Sequence, residues 1–248
     1  MTLLSTTQSP TEGTSGSLEI YLLGVVDFDS ALFLQERLVY EISGRNDTQG
    51  ALLLCEHPPM ITIGREGSWA HILIDNSELV SRQMEVRWLN RGGGCFVHAP
   101  GQLAVYPILP LDRLNIGLSD YRRRLEESVI DVCRELRVSA HRRADEPGVW
   151  CRRGQFAHLG VAAKSWVAYH GMFLNVSVAM DLLRVVQPND NGQRVTSLSA
   201  QRARVTTMHS VRASLVRNLA SQLGYDRYHL YTGHPLLRLT KKKVNVHA

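Results

Sequence analysis

The sequence predicts one mixed α/β domain, and three observations carry that prediction. Strand-like segments recur between residues 18 and 178, some alternating and some continuously apolar. Two long segments, 119 to 137 and 208 to 223, place apolar residues at helical spacing. No repeat, linker or shift in composition divides the chain, so strands and helices belong to one layered core. At 248 residues the chain is long enough to bury that core well.

Residues 1 to 17, MTLLSTTQSPTEGTSGS, lack the cationic start and apolar run of a signal peptide. Their Ser, Thr and Gly content predicts a disordered tail, so the domain is expected to span 18 to 232, with 233 to 248 as a basic C-terminal tail. LEIYLLG (18 to 24) alternates as a strand. Asp27 or Asp29 then caps a helix whose Ala31, Leu34, Leu38 and Ile42 share a face. GALLLCEHPPMITIG (50 to 64) reads as a buried strand, a Pro-Pro turn and another strand.

Leu79 to Met84 is expected to be a short helix, and EVRWLN leads into RGGGCFVHAPGQLAVYP (91 to 107). Three consecutive glycines cost backbone entropy and pack nothing, so something must approach the main chain there. QLAVYPILPL leaves as a strand. Ser119 or Asp120 is expected to cap the helix that buries Tyr121, Leu125, Val129, Val132 and Leu136 with its arginines outward. GVWCRRGQFAHLGVAA (148 to 163) reads as a hairpin with Arg152-Arg153-Gly154 as a three-residue loop. WVAYHGMFLNVSV (166 to 178) is another strand region, and the last helix turns Val211, Leu215, Leu219 and Leu223 inward.

The formal net charge of +5 suits an acidic partner. Basic groups concentrate at Arg122 to Arg124, Arg142 and Arg143, Arg152 and Arg153, and Lys241 to Lys243. They lack interleaved aromatic residues and any helix-turn-helix or finger signature, so nucleic acid is not expected. No apolar run approaches the ~20 residues of a membrane span. The four cysteines, Cys55, Cys95, Cys133 and Cys151, form no CxxC pair, and the ten histidines form no HxxxH or HExxH arrangement. Free thiols in a cytoplasmic protein without a metal site or cofactor are therefore expected.

Four stretches in order, HPPMITIGR (57 to 65), RGGGCFVHAPGQLAVYP, GVWCRRGQFAHLG and YHGMFLNV (169 to 176), resemble the octanoyl-ACP:protein octanoyltransferase family. QPNDNGQRVTSL (187 to 198) is a weaker fifth. The resemblance implies a single mixed-sheet domain of the biotin/lipoate protein ligase catalytic type. It also implies passage of an octanoyl group from acyl carrier protein to a cysteine, and from there to a lipoyl-domain lysine, both proteins being acidic. Arg91, Gly92, Gly93, Gly94, Cys95, Phe96, Val97 and His98 would line the medium-chain acyl group, the glycines letting the backbone approach it. His158, Leu159 and Gly160 with Gly171, Met172 and Phe173 would complete that site. His98 and His57 are each more naturally hydrogen-bonded structural residues than catalysts.

The sequence departs from this family at the two groups its chemistry needs. A thiolate must attack the carrier thioester, and a neighbouring cation favours that ionised form. Asn189 stands at the position of the family's cysteine, and Gln155 at that of its lysine. An amide is neither nucleophile nor cation. ATP activation is not expected, because Gln155 also occupies the lysine position of the ligases and no GxxxxGK[ST] loop is present. Cys151 is a candidate displaced nucleophile if it faces Gln155 across the hairpin, while Cys95 alternates away from Phe96 and His98.

Overall fold

The computed structural model describes residues 16–188, 192, 194–201 and 206–239, so Asn189 and Lys241 to Lys243 lie outside the described residues. Leu18–Val25 (β1), Gly50–Glu56 (β2), Gln102–Pro110 (β6), Gly148–Cys151 (β7), Gly154–Lys164 (β8), Val167–Asn175 (β9) and Tyr228–Thr232 (β10) build a seven-stranded sheet. Its order is β10-β1-β2-β6-β9-β8-β7, with β10, β1 and β2 parallel and the remaining neighbours antiparallel. Met60–Ile63 (β3), Glu85–Trp88 (β4) and Cys95–His98 (β5) form a second, three-stranded sheet. Pro58-Pro59 thus carries the chain from one sheet to the other.

Burial on both faces explains why β2 reads as a continuous apolar run. Leu52 and Leu54 face a core shared with Leu118–Glu135 (α3) and Met208–Leu223 (α5), whereas Leu53 and Cys55 face Phe28–Ser43 (α1). The helix α1 starts where Asp27 accepts a hydrogen bond from Ser30 N at 2.8 Å, and its Ala31, Leu34, Leu38 and Ile42 are buried. Thr207 caps α5, and Gly224 ends it at a φ of +80°.

Several boundaries differ from expectation. The short helix is Asn76–Ser81 (α2), three residues earlier, because Asp75 accepts from Glu78 N at 2.9 Å and sets its start. The helix α3 has Gly117 at its cap without a side-chain bond; Asp120 instead holds Arg123 and Arg124, each at 2.6 Å. The hairpin turn holds two residues, Arg152 and Arg153, and Gly154 at φ +139° already pairs with Cys151. Met180–Leu183 (α4), β5, β10 and Pro235–Leu239 (α6) were not legible as elements. The segment after 232 begins as that helix, with Leu236 and Leu237 packed on the α1 side of the sheet.

Among the described residues no helix is long and apolar enough to cross a membrane, and no group of three His, Cys, Asp or Glu could hold a metal ion.

Candidate functional site

What approaches the glycine loop is Arg91 itself. Its side chain is fully buried, and its guanidinium donates to Gly92 O (2.9 Å), Gly94 O (3.2 Å), Thr62 O (3.0 Å) and Thr62 Oγ1 (2.7 Å). It also lies 4.0 Å over the Phe96 ring, a favourable place for a desolvated cation. A Cβ at Gly160 would meet Gly92 O at 2.8 Å and Arg91 Cδ at 2.9 Å, so glycine there makes room for this arrangement. Arg91, itself one of the residues expected to line an acyl chain, thus binds the carbonyls of the glycine loop from within.

The same loop is bonded to the turn that follows β3. Gly64 N donates to Gly94 O, Arg65 N to Arg91 O and Glu66 N to Gly93 O, while Gly93 N donates to Glu66 Oε1. Gly92 N reaches across to Val161 O at 3.0 Å. On β8 and β9, His158, Leu159 and Gly160 stand opposite Phe173, Met172 and Gly171 respectively. Phe96 closes the group, with its ring centroid 5.1 Å from that of His158 and 5.8 Å from that of Phe173. The fold therefore gathers the loop and both additional stretches into one place.

That place is packed. The cavity bordered by Cys95, Phe96, Gln102, His158, Asn175 and Pro188 holds only about 10 Å³. Such a volume accommodates about one water and not an eight-carbon chain. An acyl chain could enter this place only if residues lining the cavity moved.

Burial controls the electrostatics. The low dielectric pulls Arg91 down to about 9 and pushes the Cys95 thiol up to about 12, with Arg91 pulling that thiol partly back. Burial, reinforced by Arg91, lowers His158 to about 3 and His170 to about 3. His98 is held well below its usual value by burial and then by His57 and Arg91. His98 Nδ1 meets Gln102 Oε1 at 2.9 Å and Nε2 meets Thr62 Oγ1 at 2.8 Å, which fixes a neutral tautomer protonated on Nδ1. His57 is lowered to about 4 by burial and sits between Val26 O and Tyr106 Oη, both at 2.7 Å. Both residues are bound into the core by both ring nitrogens. His158 Nδ1 has no hydrogen-bond partner among the described residues.

Gln155 is buried and turned into its own hairpin. Its Nε2 donates to Pro147 O at 3.3 Å and Ala157 O at 3.2 Å. Its backbone pairs with the segment after 192, through Arg194 O and Thr196 N, each at 2.8 Å. Cys151 does not face it: the register pairs Trp150 with Gln155 and Cys151 with Gly154, after a bulge between Val149 and Trp150. The Cys151 thiol donates to Gly154 O at 3.4 Å and belongs to the α3 side of the core. Cys95 instead packs with Ile61, Ile63 and Val97 under the small sheet, and its N donates to Pro188 O at 3.0 Å.

Sequence reasoning missed Thr62, Gln102 and Asn175, which brace the loop from below. Gln102 Nε2 donates to Val97 O and to Asn175 Oδ1, both at 2.9 Å. The available signal was Thr62 inside the apolar β3 and a polar residue at one end of each of β6 and β9.

Comparison with known proteins follows this geometry. A family model described as the lipoyl protein ligase A/B catalytic domain matches residues 27–220. An octanoyltransferase of Geotalea uraniireducens (strain Rf4) is 38% identical over 185 residues, covering 74% of this chain and 83% of that protein. An octanoyltransferase of Syntrophotalea carbinolica is 37% identical over 207 residues, covering 83% and 94%. Among solved structures, a lipoate-protein ligase A bound with ATP superposes with a TM-score of 0.74 at 15% identity, covering 90% of this chain and 92% of that one. A bipartite lipoate protein ligase from Thermoplasma acidophilum gives 0.72 at 16% identity, covering 90% and 89%. At those identities the structural likeness speaks for the fold.

Proposed function

The chain belongs to the lipoyl protein ligase A/B catalytic-domain family and, within it, to the octanoyltransferases of lipoate biosynthesis; on that premise we propose that it engages an acyl donor and a lipoyl domain without forming the family's acyl-cysteine. Acyl carrier protein is the donor engaged in this reading, and the cytoplasm is where it is met. The observation that carries the proposal is Gln155. A transferase of this family uses a cation there to hold a nearby cysteine as thiolate. Here the side chain is a neutral amide whose nitrogen is committed to two backbone carbonyls. Asn189, at the cysteine's position, offers no thiol. Loss of a catalytic nucleophile costs on the order of 10⁶ in turnover, so the remaining machinery binds rather than transfers.

Intact-mass analysis after incubation with octanoyl carrier protein tests this. The unmodified chain is expected to form no hydroxylamine-labile adduct, whereas Asn189→Cys combined with Gln155→Lys forms one. Asn189→Cys alone reacts more slowly, because an unassisted thiol keeps a pKa near about 8.5. An adduct on the unmodified chain that disappears in Cys151→Ala would replace this reading with a transferase using a displaced thiol. A folded double variant that stays unreactive would show that the acyl site itself has been rebuilt.

A further inference from the structure

Two sets of arginines contrast, one of them gathered around a single cleft. Those on α3 and after it are largely neutralised: Arg122 by Glu126 at 3.0 Å, Arg123 and Arg124 by Asp120, and Arg142 by Glu127 at 2.8 Å. Arg152, Arg153, Arg184 and Arg194 are exposed and form no ion pair among the described residues; Arg153 only donates to Ala200 O at 3.3 Å. These four border one open cleft of about 1130 Å³. The acid carried by the helix α4 beside it, Asp181, stands 3.8 Å from Arg82 instead. Four guanidinium groups without an ion pair among the described residues, set around a single concavity, repel one another, and a polyanion removes that repulsion. Guanidinium forks suit phosphate oxygens in particular.

Apolar residues line the same cleft, among them Leu73, Met180, Leu183 and Val186. The volume, about 1130 Å³, slightly exceeds that of ordinary small-molecule pockets, which run to about 1,000 Å³. A flat acidic protein face would leave such a concavity unfilled. We propose that this cleft binds a soluble nucleotide-sized polyphosphate bearing an apolar group, its phosphates held by Arg152, Arg153, Arg184 and Arg194. The inference concerns binding alone, goes beyond the carrier-protein reading above and does not need Asn189 or Gln155 to react.

Calorimetry on the full chain tests it, with octanoyl-coenzyme A, coenzyme A, ADP and inorganic phosphate as probes. Octanoyl-coenzyme A and coenzyme A are expected to bind saturably at one site, the octanoyl form more tightly, and inorganic phosphate at least about 100-fold more weakly than either because it meets fewer of the four forks. Arg184→Ala and Arg194→Ala each weaken coenzyme A at least about tenfold, while Arg37→Ala, whose arginine is paired with Glu41 on α1, does not. Binding by the unaltered protein weakens as salt rises, which needs no variant. Absence of saturable binding by the nucleotide probes overturns the proposal, as does binding indifferent to both cleft variants and to salt. Carrier-protein binding that is lost in Arg184→Ala and Arg194→Ala, while coenzyme A neither binds nor competes, would make the cleft a protein-docking surface and overturns it equally. None of these outcomes depends on adduct formation, so the two readings fail separately.

Discussion

Replacing Phe96 by alanine asks whether the glycine loop encloses an acyl slot. The ring is buried between His158 and Phe173 and lies under the Arg91 guanidinium at 4.0 Å. Truncating a buried phenylalanine costs about 3–5 kcal/mol of stability. It also merges the ring's space with the cavity of about 10 Å³ beside His158. The six methylenes of octanoate gain about 0.8 kcal/mol each when buried, about 5 kcal/mol together. In the parent, entry must first displace the ring from the arginine, at about 2 kcal/mol or more for a desolvated cation–π contact. Each 1.4 kcal/mol is about a factor of ten, so octanoate should bind Phe96→Ala at least about tenfold more tightly than the parent. The assay is calorimetry, with urea unfolding as a second readout, since ligand at 100 times its Kd returns about 2.7 kcal/mol. Unchanged or weaker octanoate binding by the folded variant would refute the slot. Gly93→Val is a poorer probe: at a φ of +75° its Cβ would meet Phe96 Cζ at 2.8 Å and Leu159 O at 2.9 Å, so the fold would suffer with the site.

Stability should fall as pH drops below about 6.5, the unfolded-state value of histidine. His57, His98, His158 and His170 are all lowered by burial, so the unfolded chain binds protons that the folded chain refuses. Each contributes a slope of about 1.4 kcal/mol per pH unit, which persists until its folded value is reached, about 4 for His57 and about 3 for His158 and His170. Urea midpoints that stay level from pH 7 to pH 5 would contradict this. Asp27→Ala removes the bond to Ser30 N and should cost about 1 kcal/mol, read as a lower urea midpoint with an unchanged slope.

The sequence alone determined the repetitive elements, because period and caps are local properties. The apolar positions of α1 and α5, and the β2 run buried on both faces, were legible before any fold was known. Ordered motifs likewise carried the family, since the glycine loop and its two companion stretches keep their order along the chain. Local signals failed wherever a distant partner decided the outcome. Asp120 looked like a cap but went to Arg123 and Arg124, and Cys151 missed Gln155 because one bulge shifts every pairing beyond it. Recognising which arginines are ion-paired also required tertiary structure, for Arg142 meets Glu127 only once the loop before β7 has folded back onto α3. So did the occupant of the glycine loop. Three glycines announce that something comes close, but only long-range packing places Arg91 there, between Thr62 and the Phe96 ring. A buried charge is tolerated only where partners from several strands converge on it, and that convergence is a property of the assembled sheets.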